Sequence, residues 1–300
     1  MAEVTAVGTG WVPLAAAVLL ATTAVTATAH GALLGRPDRP WAEAARLLRQ
    51  QRRTTLAADT LLGRGAVLLA PVVALLMVAV VPLGGWTVTD LGVGVVWFNT
   101  LDVVLWAVFW LTGWGANSAL ALVGAYRFLA QALAYELPLM FALAAPALAA
   151  GSLRLGDVVT AQQGLWFVVW MPAAFAVYCL GVLGFTARGP FGAPVSPDAA
   201  GGLAAELSGV DRLLLAGGRW LLLVAGSAFG ATAFLGGGGG PLLPGWAWVL
   251  LKTVLLALAL AAVARRLPLW RAERFTEVGW LVLLPVALLQ LLVVAVVEVG

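Results

Sequence analysis

The sequence has few of the side chains that bind metals or cross-link a fold. Its 300 residues include one cysteine, Cys179, and one histidine, His30. A single cysteine excludes a disulfide framework within this chain, and also a zinc or iron–sulfur site ligated by cysteines. A single histidine argues against a histidine metal cluster and against a Ser-His-Asp triad. Any chemistry therefore depends on carboxylates and basic side chains, or on another subunit.

Charged residues are scarce as well. They make up 10% of the sequence, compared with about 25% in a typical soluble domain. Hydrophobic residues make up 62%, in runs that reach the roughly 20 residues a helix needs to cross a bilayer. The sequence therefore predicts an all-α, polytopic membrane protein forming a single domain, with about eight transmembrane helices and one interfacial amphipathic helix. The predicted spans cover about residues 11–29, 65–84, 91–113, 118–150, 164–184, 211–236, 245–264 and 278–297 of the domain 1–300.

A basic stretch between residues 36 and 64 follows the first predicted span. Within it, Pro40 is expected to open a helix over about residues 40–53 that carries Trp41 and Leu48 on an apolar face. This pattern is typical of an amphipathic helix that lies on anionic lipid headgroups. An anchor that only fixes the orientation of the chain explains the same basic residues equally well.

The other basic residues between spans predict the orientation in the membrane. If the N-terminus lies outside, the loops holding residues 36–64, 188–212 and 265–274 face the cytoplasm, and Arg154 alone stays on the other side. Cytoplasmic loops carry an excess of Lys and Arg, so this arrangement satisfies the positive-inside rule. We therefore predict a multi-pass protein of the cell inner or plasma membrane with both termini outside.

Five ionisable residues fall inside the predicted spans. Arg127 and Glu136 share one helix but point in opposite directions, about 13 Å apart along its axis, so they are not expected to pair. Asp102 lies at a depth similar to those of Arg127 and Arg219, which predicts an ion pair with one of them. Lys252 lies toward the outer half. Two interpretations are open: buried ion pairs that hold helices together, or a path for protons or a ligand, which buried charges usually mark.

A family resemblance rests on the segment GWGANSALALVGAYRFLAQALAYELPL, residues 113–139. It resembles the central helices of one membrane component of NADH:quinone oxidoreductase (respiratory complex I), the H subunit or subunit 1, whose pattern is GWxSNSKYxLLGxLRxxAQxxSYE. RGPFGAPVSPD and AELSG resemble two loops of the same subunit, and LPLWRAERFTEVGWLVLLP resembles its closing helices. The matching positions in the first segment are Gly113, Trp114, Asn117, Gly124, Arg127, Ala130, Gln131, Tyr135 and Glu136.

The resemblance implies a subunit that docks the peripheral electron-transfer arm, helps frame a quinone pocket and couples the redox step to proton movement. No cofactor is expected in this chain: quinone is a shared substrate, and NADH, FMN and iron–sulfur clusters belong to partner subunits. The expected partners are those peripheral subunits, other membrane subunits and the lipid bilayer, without nucleic acid. The proton or quinone path is assigned to Asp102, Arg127, Gln131, Glu136, Arg219 and Lys252. The subunit contacts are assigned to Arg36, Arg39, Arg188, Glu206, Arg271 and Glu273.

The sequence departs from the family pattern at charged positions. Arg219 aligns with a glutamate of the family, and Asp102 is expected to compensate for it. Acidic family positions in the loop after the fifth span align with Phe185, Gly192, Val195 and Pro197. These losses favour one alternative, a diverged subunit of a group 4 membrane hydrogenase-like or ferredoxin-linked ion-translocating complex. A stand-alone transporter or structural membrane protein is the other alternative.

Overall fold

A computed structural model describes residues 4–197 and 200–299 of the chain. Helices dominate it, and eight of those described are long and apolar enough to cross a membrane, so the predicted all-α polytopic fold is confirmed. In a bilayer the backbone groups must be satisfied within the segment, which a helix achieves. The helices are α1 Val12–Leu33, α2 Arg39–Arg49, α3 Thr60–Val78, α4 Gly94–Gly115, α5 Ala119–Ala149, α6 Leu155–Ala161, α7 Phe167–Trp170, α8 Pro172–Phe185, α9 Gly209–Phe234, α10 Gly245–Arg266, α11 Ala272–Val278 and α12 Leu284–Val299.

The long helices alternate in direction, which gives the bundle two distinct ends. One end, the terminal face, carries both ends of the described chain and a parallel two-stranded ribbon of β1 (Thr5–Ala6) and β2 (Trp86–Thr87). The other end, the basic face, carries α2, the loop 186–208 and the loop 267–271. The arginine-rich loops of the sequence thus lie together at one end of the bundle.

Several helix boundaries differ from the sequence prediction for local reasons. α3 begins at Thr60, five residues earlier than expected, because the Asp59 side chain accepts a hydrogen bond from the backbone N–H of Leu62 (3.0 Å) and caps the helix. The fifth predicted span is broken at Met171, ahead of Pro172, into α7 and α8. A proline disfavours helical geometry in the residue before it, which explains the break.

The last span also begins earlier than predicted. α11 opens at Ala272, and a π-helical turn, Gly279–Leu283, joins it to α12 without a break. Gly279 lies against α5, where an added Cβ would come 2.4 Å from the carbonyl oxygen of Ala134. The wider π turn therefore accompanies a very close approach of the two backbones.

The amphipathic helix forms, but it ends earlier than expected and buries a different face. α2 ends at Arg49 rather than near residue 53, because Gln50 is extended and its side chain accepts a hydrogen bond from the N–H of Gly209 (3.3 Å). Leu47 is the buried residue of α2 (1% exposed), whereas Trp41 and Leu48 are more than half exposed. The apolar face named from the sequence therefore points away from the protein.

Helix α5 is the centre of the bundle and packs against α4, α8, α11 and α12. Aromatic side chains fill the space around it, with Phe109 stacked on Phe128 (ring centroids 3.9 Å apart) and Phe98 on Phe229 (4.0 Å). Stacked pairs of this kind add about 0.5–1.5 kcal/mol each beyond their buried area. The core therefore holds α5 firmly enough to fix the direction of its polar side chains.

Gly124 on α5 provides the seat for the loop 186–208. An added Cβ there would lie 2.6 Å from the Pro194 carbonyl oxygen and 2.7 Å from the Gly202 Cα atom. Since both neighbours are backbone, Gly124→Ala should displace the loop and lower stability by about 1–3 kcal/mol, measured as the thermal unfolding temperature in detergent. Gly217→Ala on α9 is the matched control, because no atom lies within 4 Å of its added Cβ. We expect that control to be neutral or stabilising by up to about 1 kcal/mol, and equal losses in both variants would contradict the packing argument.

Candidate functional site

The two carboxylates inside the bundle lie next to each other. Asp102 on α4 is fully buried and Glu136 on α5 nearly so, and two hydrogen bonds that cross between α4 and α5 bring their carboxyl groups side by side. The Tyr135 hydroxyl donates to Asp102 Oδ1 (3.3 Å), and the Asn99 Nδ2 amide donates to Glu136 Oε1 (3.1 Å). Asp102 Oδ2 and Glu136 Oε2 receive no hydrogen bond from any described residue. The arrangement leaves one free oxygen on each carboxyl group.

No basic side chain neutralises this carboxyl pair within the part of the chain that the structure describes. The ion pairs found there are Arg46–Glu43, Arg52–Asp211, Arg64–Asp211 and Arg154–Asp90. The expected partnership of Asp102 with Arg127 or Arg219 is therefore wrong, and so is the expected compensation of Arg219 by Asp102. Asp102 lies about 20 Å from the basic end of α4, while Arg127 lies about 12 Å from the same end of α5, at 1.5 Å per residue.

Further unsatisfied polar atoms accompany the pair on α4 and α5. Trp106 follows Asp102 by one helical turn, and its Nε1 has no partner among the described residues. Gln131 precedes Tyr135 by one turn, is buried, and has neither its Oε1 nor its Nε2 bonded within the described chain. Buried polar groups are usually satisfied by protein or by ordered water. Unsatisfied polar atoms thus lie within about one helical turn of the carboxyl pair on both α4 and α5.

Arg127 serves a different part of the molecule from Glu136, as their predicted opposite directions require. Its Nη1 donates to the carbonyl oxygen of Gly201 (2.7 Å) in the loop 186–208. That loop returns across α5 at Gly124 and meets Arg127 about one turn farther along the helix. Arg127 therefore binds the loop of the basic face to the central helix.

Arg219 caps the end of a neighbouring helix. Its guanidinium on α9 donates from Nε to the carbonyl oxygen of Thr186 (2.9 Å) and from Nη2 to that of Ala187. Both carbonyls belong to the turn that ends α8, where the unpaired carbonyls and the helix dipole favour a cation. The charge reversal at this position thus has a structural role that involves no carboxylate.

Lys252, the only lysine of the sequence, occupies a cage of carbonyls at the terminal face. Its ammonium lies 4.1 Å from the centroid of the Trp166 ring, a cation–π contact. All three of its protons are used. The accepting carbonyl oxygens, with their distances from Nζ, are those of Leu235 (2.6 Å), Gly237 (2.9 Å) and Gly239 (2.8 Å).

Sequence reasoning missed a glutamine that holds the backbone around this cage in place. Gln162 Oε1 accepts from the N–H of Gly236 (2.9 Å), and its Nε2 donates to the carbonyl oxygen of Thr232 (2.9 Å). Gly236 has a positive φ of 70°, a conformation that glycine adopts without strain. The glycine run after α9 is therefore an ordered turn that presents carbonyls to Lys252. A glutamine four residues before Trp166 gave no distinctive signal in the sequence.

The residues assigned to subunit contact divide into two groups. Arg36, Arg39, Arg271 and Glu273 are exposed on the basic face. Arg188 and Glu206 are engaged within the chain: Arg188 lies over the Trp220 ring at 4.0 Å, and the Glu206 carboxylate accepts from the Ser118 hydroxyl (2.6 Å). The first group is available to a partner, and the second shapes the loops that surround it.

Charged residues of the basic face form local ion pairs that the sequence did not predict. Asp211 at the start of α9 lies 3.4 Å from Arg52 and 3.8 Å from Arg64. On α2, Arg46 holds the pKa of the Glu43 carboxyl below its usual value through a hydrogen bond of 2.6 Å. Acidic residues of the basic face are thus used to neutralise arginines locally.

The geometry of the carboxyl pair predicts how Asp102 responds to substitution. Asp102→Asn removes one of two adjacent carboxyl groups and breaks no ion pair of the described chain, so we expect a change in stability within about 1 kcal/mol. The double variant Asp102→Asn with Arg219→Gln should show additive losses, since the two side chains share no partner. Thermal unfolding of the two single variants and the double variant measures this. If the double variant proved more stable than Arg219→Gln alone, that result would support an ion pair between Asp102 and Arg219 after all.

Comparison with known proteins identifies a family that this chain matches over most of its length. The family model described as NADH dehydrogenase matches residues 38–295. A protein of Geobacter sulfurreducens, named as H subunit 2 of NADH-quinone oxidoreductase, is 34% identical over 265 residues, which cover 85% of this chain and 80% of that protein. Proteins of the same name from Cereibacter sphaeroides and Rhodopseudomonas palustris are 38% identical over 216 residues (71% of this chain, 68% of that protein) and 34% identical over 266 residues (86% and 82%).

Proposed function

The chain belongs to the NADH dehydrogenase family as the membrane subunit called H or 1, and we propose that it couples quinone reduction to proton translocation in a complex I-like assembly. The single observation that carries this proposal is the buried Asp102–Glu136 pair, which lies within the membrane-spanning bundle and has no neutralising cation among the described residues. Ionisable groups at membrane depth mark ion pathways more often than they stabilise a bundle.

The proposed relay holds a proton between the two carboxyl groups. Two adjacent negative charges in an apolar surrounding repel strongly, so the pair is expected to retain one proton, shared between Asp102 Oδ2 and Glu136 Oε2. Tyr135 and Asn99 hold the other two oxygens and fix the orientation of both groups. Water next to Gln131 then carries the proton toward or away from the pair.

The quinone pocket and the docking of the peripheral arm are proposed at the basic face. Support comes from the family membership and from the exposed arginines Arg36, Arg39 and Arg271. In this proposal the basic face is cytoplasmic, both termini lie outside, and the chain resides in the cell membrane as one domain. NADH, FMN and the iron–sulfur clusters belong to partner subunits, and this chain supplies no redox centre.

Copurification of the tagged full-length chain from its native membrane tests the assembly. We expect iron–sulfur subunits to accompany it, together with NADH-dependent reduction of a water-soluble quinone. Recovery of a hydrogenase-like large subunit without quinone reduction would overturn the quinone part of the proposal. Recovery of the chain alone, from membranes that retain quinone reduction in the remaining fractions, would overturn the whole of it.

A further inference from the structure

A second cluster, which contains two arginines, lies apart from the carboxyl pair, toward the basic face, where α1, α8 and α10 end beside α9. We name it the Arg188 cluster and define it as His30, Arg188, Trp220 and Arg265. The Trp220 ring lies between two of its members, with the Arg188 guanidinium carbon 4.0 Å from its centroid and the His30 ring edge-on at 5.6 Å. Arg265 adjoins Arg188 in the fold, because Gly189 packs against Ala264 so closely that an added Cβ would come 2.8 Å from the Ala264 Cα atom.

The backbone holds Arg188 in this position firmly. Ala187 adopts a positive φ of 48° after the end of α8, and the N–H of Arg188 then bonds back to the carbonyl oxygen of Leu183 (2.9 Å). This is the Schellman pattern of a helix end. Arg219 binds the carbonyl oxygens of Thr186 and Ala187 and thereby closes the same turn. The guanidinium of Arg188 is therefore placed by the fold rather than by an acidic partner.

No acidic side chain among the described residues neutralises the two arginines of the cluster. Arg188 Nε and His30 Nδ1 are shielded and have no hydrogen-bond partner within residues 4–197 and 200–299. None of the ion pairs in that part of the chain includes Arg188 or Arg265. A shielded donor of a charged group is costly to leave without an acceptor, so an external anion that reaches Arg188 Nε would stabilise the arrangement.

We infer that the Arg188 cluster binds the phosphate group of a ligand. The guanidinium group of arginine can donate two parallel hydrogen bonds, a geometry that matches two oxygens of a phosphate. Arg188 is partly exposed and Arg265 is exposed, so the site presents two guanidinium groups. Three helices, α1, α8 and α10, end beside the cluster at the basic face, the level at which lipid headgroups lie. The ligand is therefore a phospholipid headgroup with its acyl chains beside α1. A soluble phosphate compound offers the same chemistry, and the experiment separates the two.

The test uses the full-length chain in nanodiscs. Its thermal unfolding temperature is compared in phosphatidylcholine alone, in phosphatidylcholine with added phosphatidylglycerol, and in phosphatidylcholine with millimolar inorganic phosphate. Native mass spectrometry then counts the phosphatidylglycerol retained by the chain. We expect phosphatidylglycerol to raise the unfolding temperature and to be retained, and Arg188→Gln to weaken this retention about tenfold. Stabilisation by inorganic phosphate to the same extent would support the site and assign it to a soluble ligand.

Controls separate a specific site from the general attraction of lipids to a basic surface. Arg266→Gln removes an exposed arginine next to Arg265 that points about 100° away around the axis of α10, and retention should be unchanged. Arg265→Gln provides a second test should Arg188→Gln not fold, because Arg265 is exposed and loses no partner. Equal retention in the wild type, Arg265→Gln and Arg266→Gln, or no effect of either phosphate source on the wild type, would overturn the inference.

Discussion

Glu136→Gln should reduce proton translocation by the assembled complex about tenfold or more while leaving assembly intact. Glutamine keeps an oxygen that accepts from Asn99 Nδ2, the contact of 3.1 Å that orients the native side chain. Glutamine cannot hold and release a proton. A positioned acid–base group typically raises the rate of a proton-transfer reaction by a factor of about 10²–10⁴. The loss of pumping therefore follows from chemistry at one atom pair and not from unfolding.

The measurement is proton uptake by proteoliposomes that contain the purified complex, followed with a pH-sensitive dye and divided by the electrons passed from NADH to quinone. Glu277→Gln is the matched control, because Glu277 is an exposed carboxylate on α11 outside the carboxyl pair. Glu136→Asp keeps an acid at the same position and should retain part of the pumping. Normal pumping by Glu136→Gln, in a complex of normal composition, would remove Glu136 from the path.

The eight spans could be predicted from the sequence because each is a long apolar run, and crossing a bilayer constrains such a run to a helix. The errors lie where a local interaction decides the boundary. Asp59 caps α3 ahead of its apolar residues, and the N–H of Gly209 holds the side chain of Gln50 beyond α2. These interactions depend on one side chain each and leave no trace in average hydropathy.

Of the residues assigned to the path, the structure brings Asp102 and Glu136 together and places Arg127, Arg219 and Lys252 elsewhere, so the expected ion pair of Asp102 was wrong. Depth along a helix gave Asp102 and Arg127 similar heights, but the pairing depends also on which neighbour each side chain meets. Arg127 meets the carbonyl of Gly201, because the loop 186–208 folds back over α5. That return is a long-range feature of the fold, which helical periodicity cannot supply.

A simple physical rule explains the outcome: the three cations Arg127, Arg219 and Lys252 are bound by backbone carbonyls, whereas the two carboxylates lie side by side. Arg127, Arg219 and Lys252 each donate to carbonyl oxygens of a loop or of a helix end. Carbonyls without partners collect where helices end, and cations are favoured there. The carboxylates have no comparable backbone donors in mid-helix, since every N–H is already used. Charge sorting of this kind leaves Asp102 and Glu136 without a neutralising cation among the described residues, as the proposed relay requires.

Lys252→Met should lower the stability of the chain by about 3–5 kcal/mol, the largest effect expected of any single substitution considered. The ammonium makes three hydrogen bonds to carbonyl oxygens at 2.6–2.9 Å, and hydrogen bonds to a charged group contribute about 1.5–3 kcal/mol each before the desolvation of the ammonium is subtracted. Methionine matches the length of lysine but leaves all three carbonyls without a donor. We expect the thermal unfolding temperature to fall by about 10 °C.

Lys252→Arg should fail as well, although it preserves the charge. The carbonyls converge on a point, whereas a guanidinium is a planar fork too large for a cage that also includes the Trp166 ring at 4.1 Å. Arg154→Met is the matched control: it removes an exposed cation from the same face, whose ion pair with Asp90 at 3.0 Å is worth at most about 1 kcal/mol. If Lys252 instead served the proton path, Lys252→Arg would unfold at the wild-type temperature while pumping declined. A lowered unfolding temperature in both Lys252 variants, with normal pumping in whatever complex assembles, assigns the residue to the structure of the terminal face.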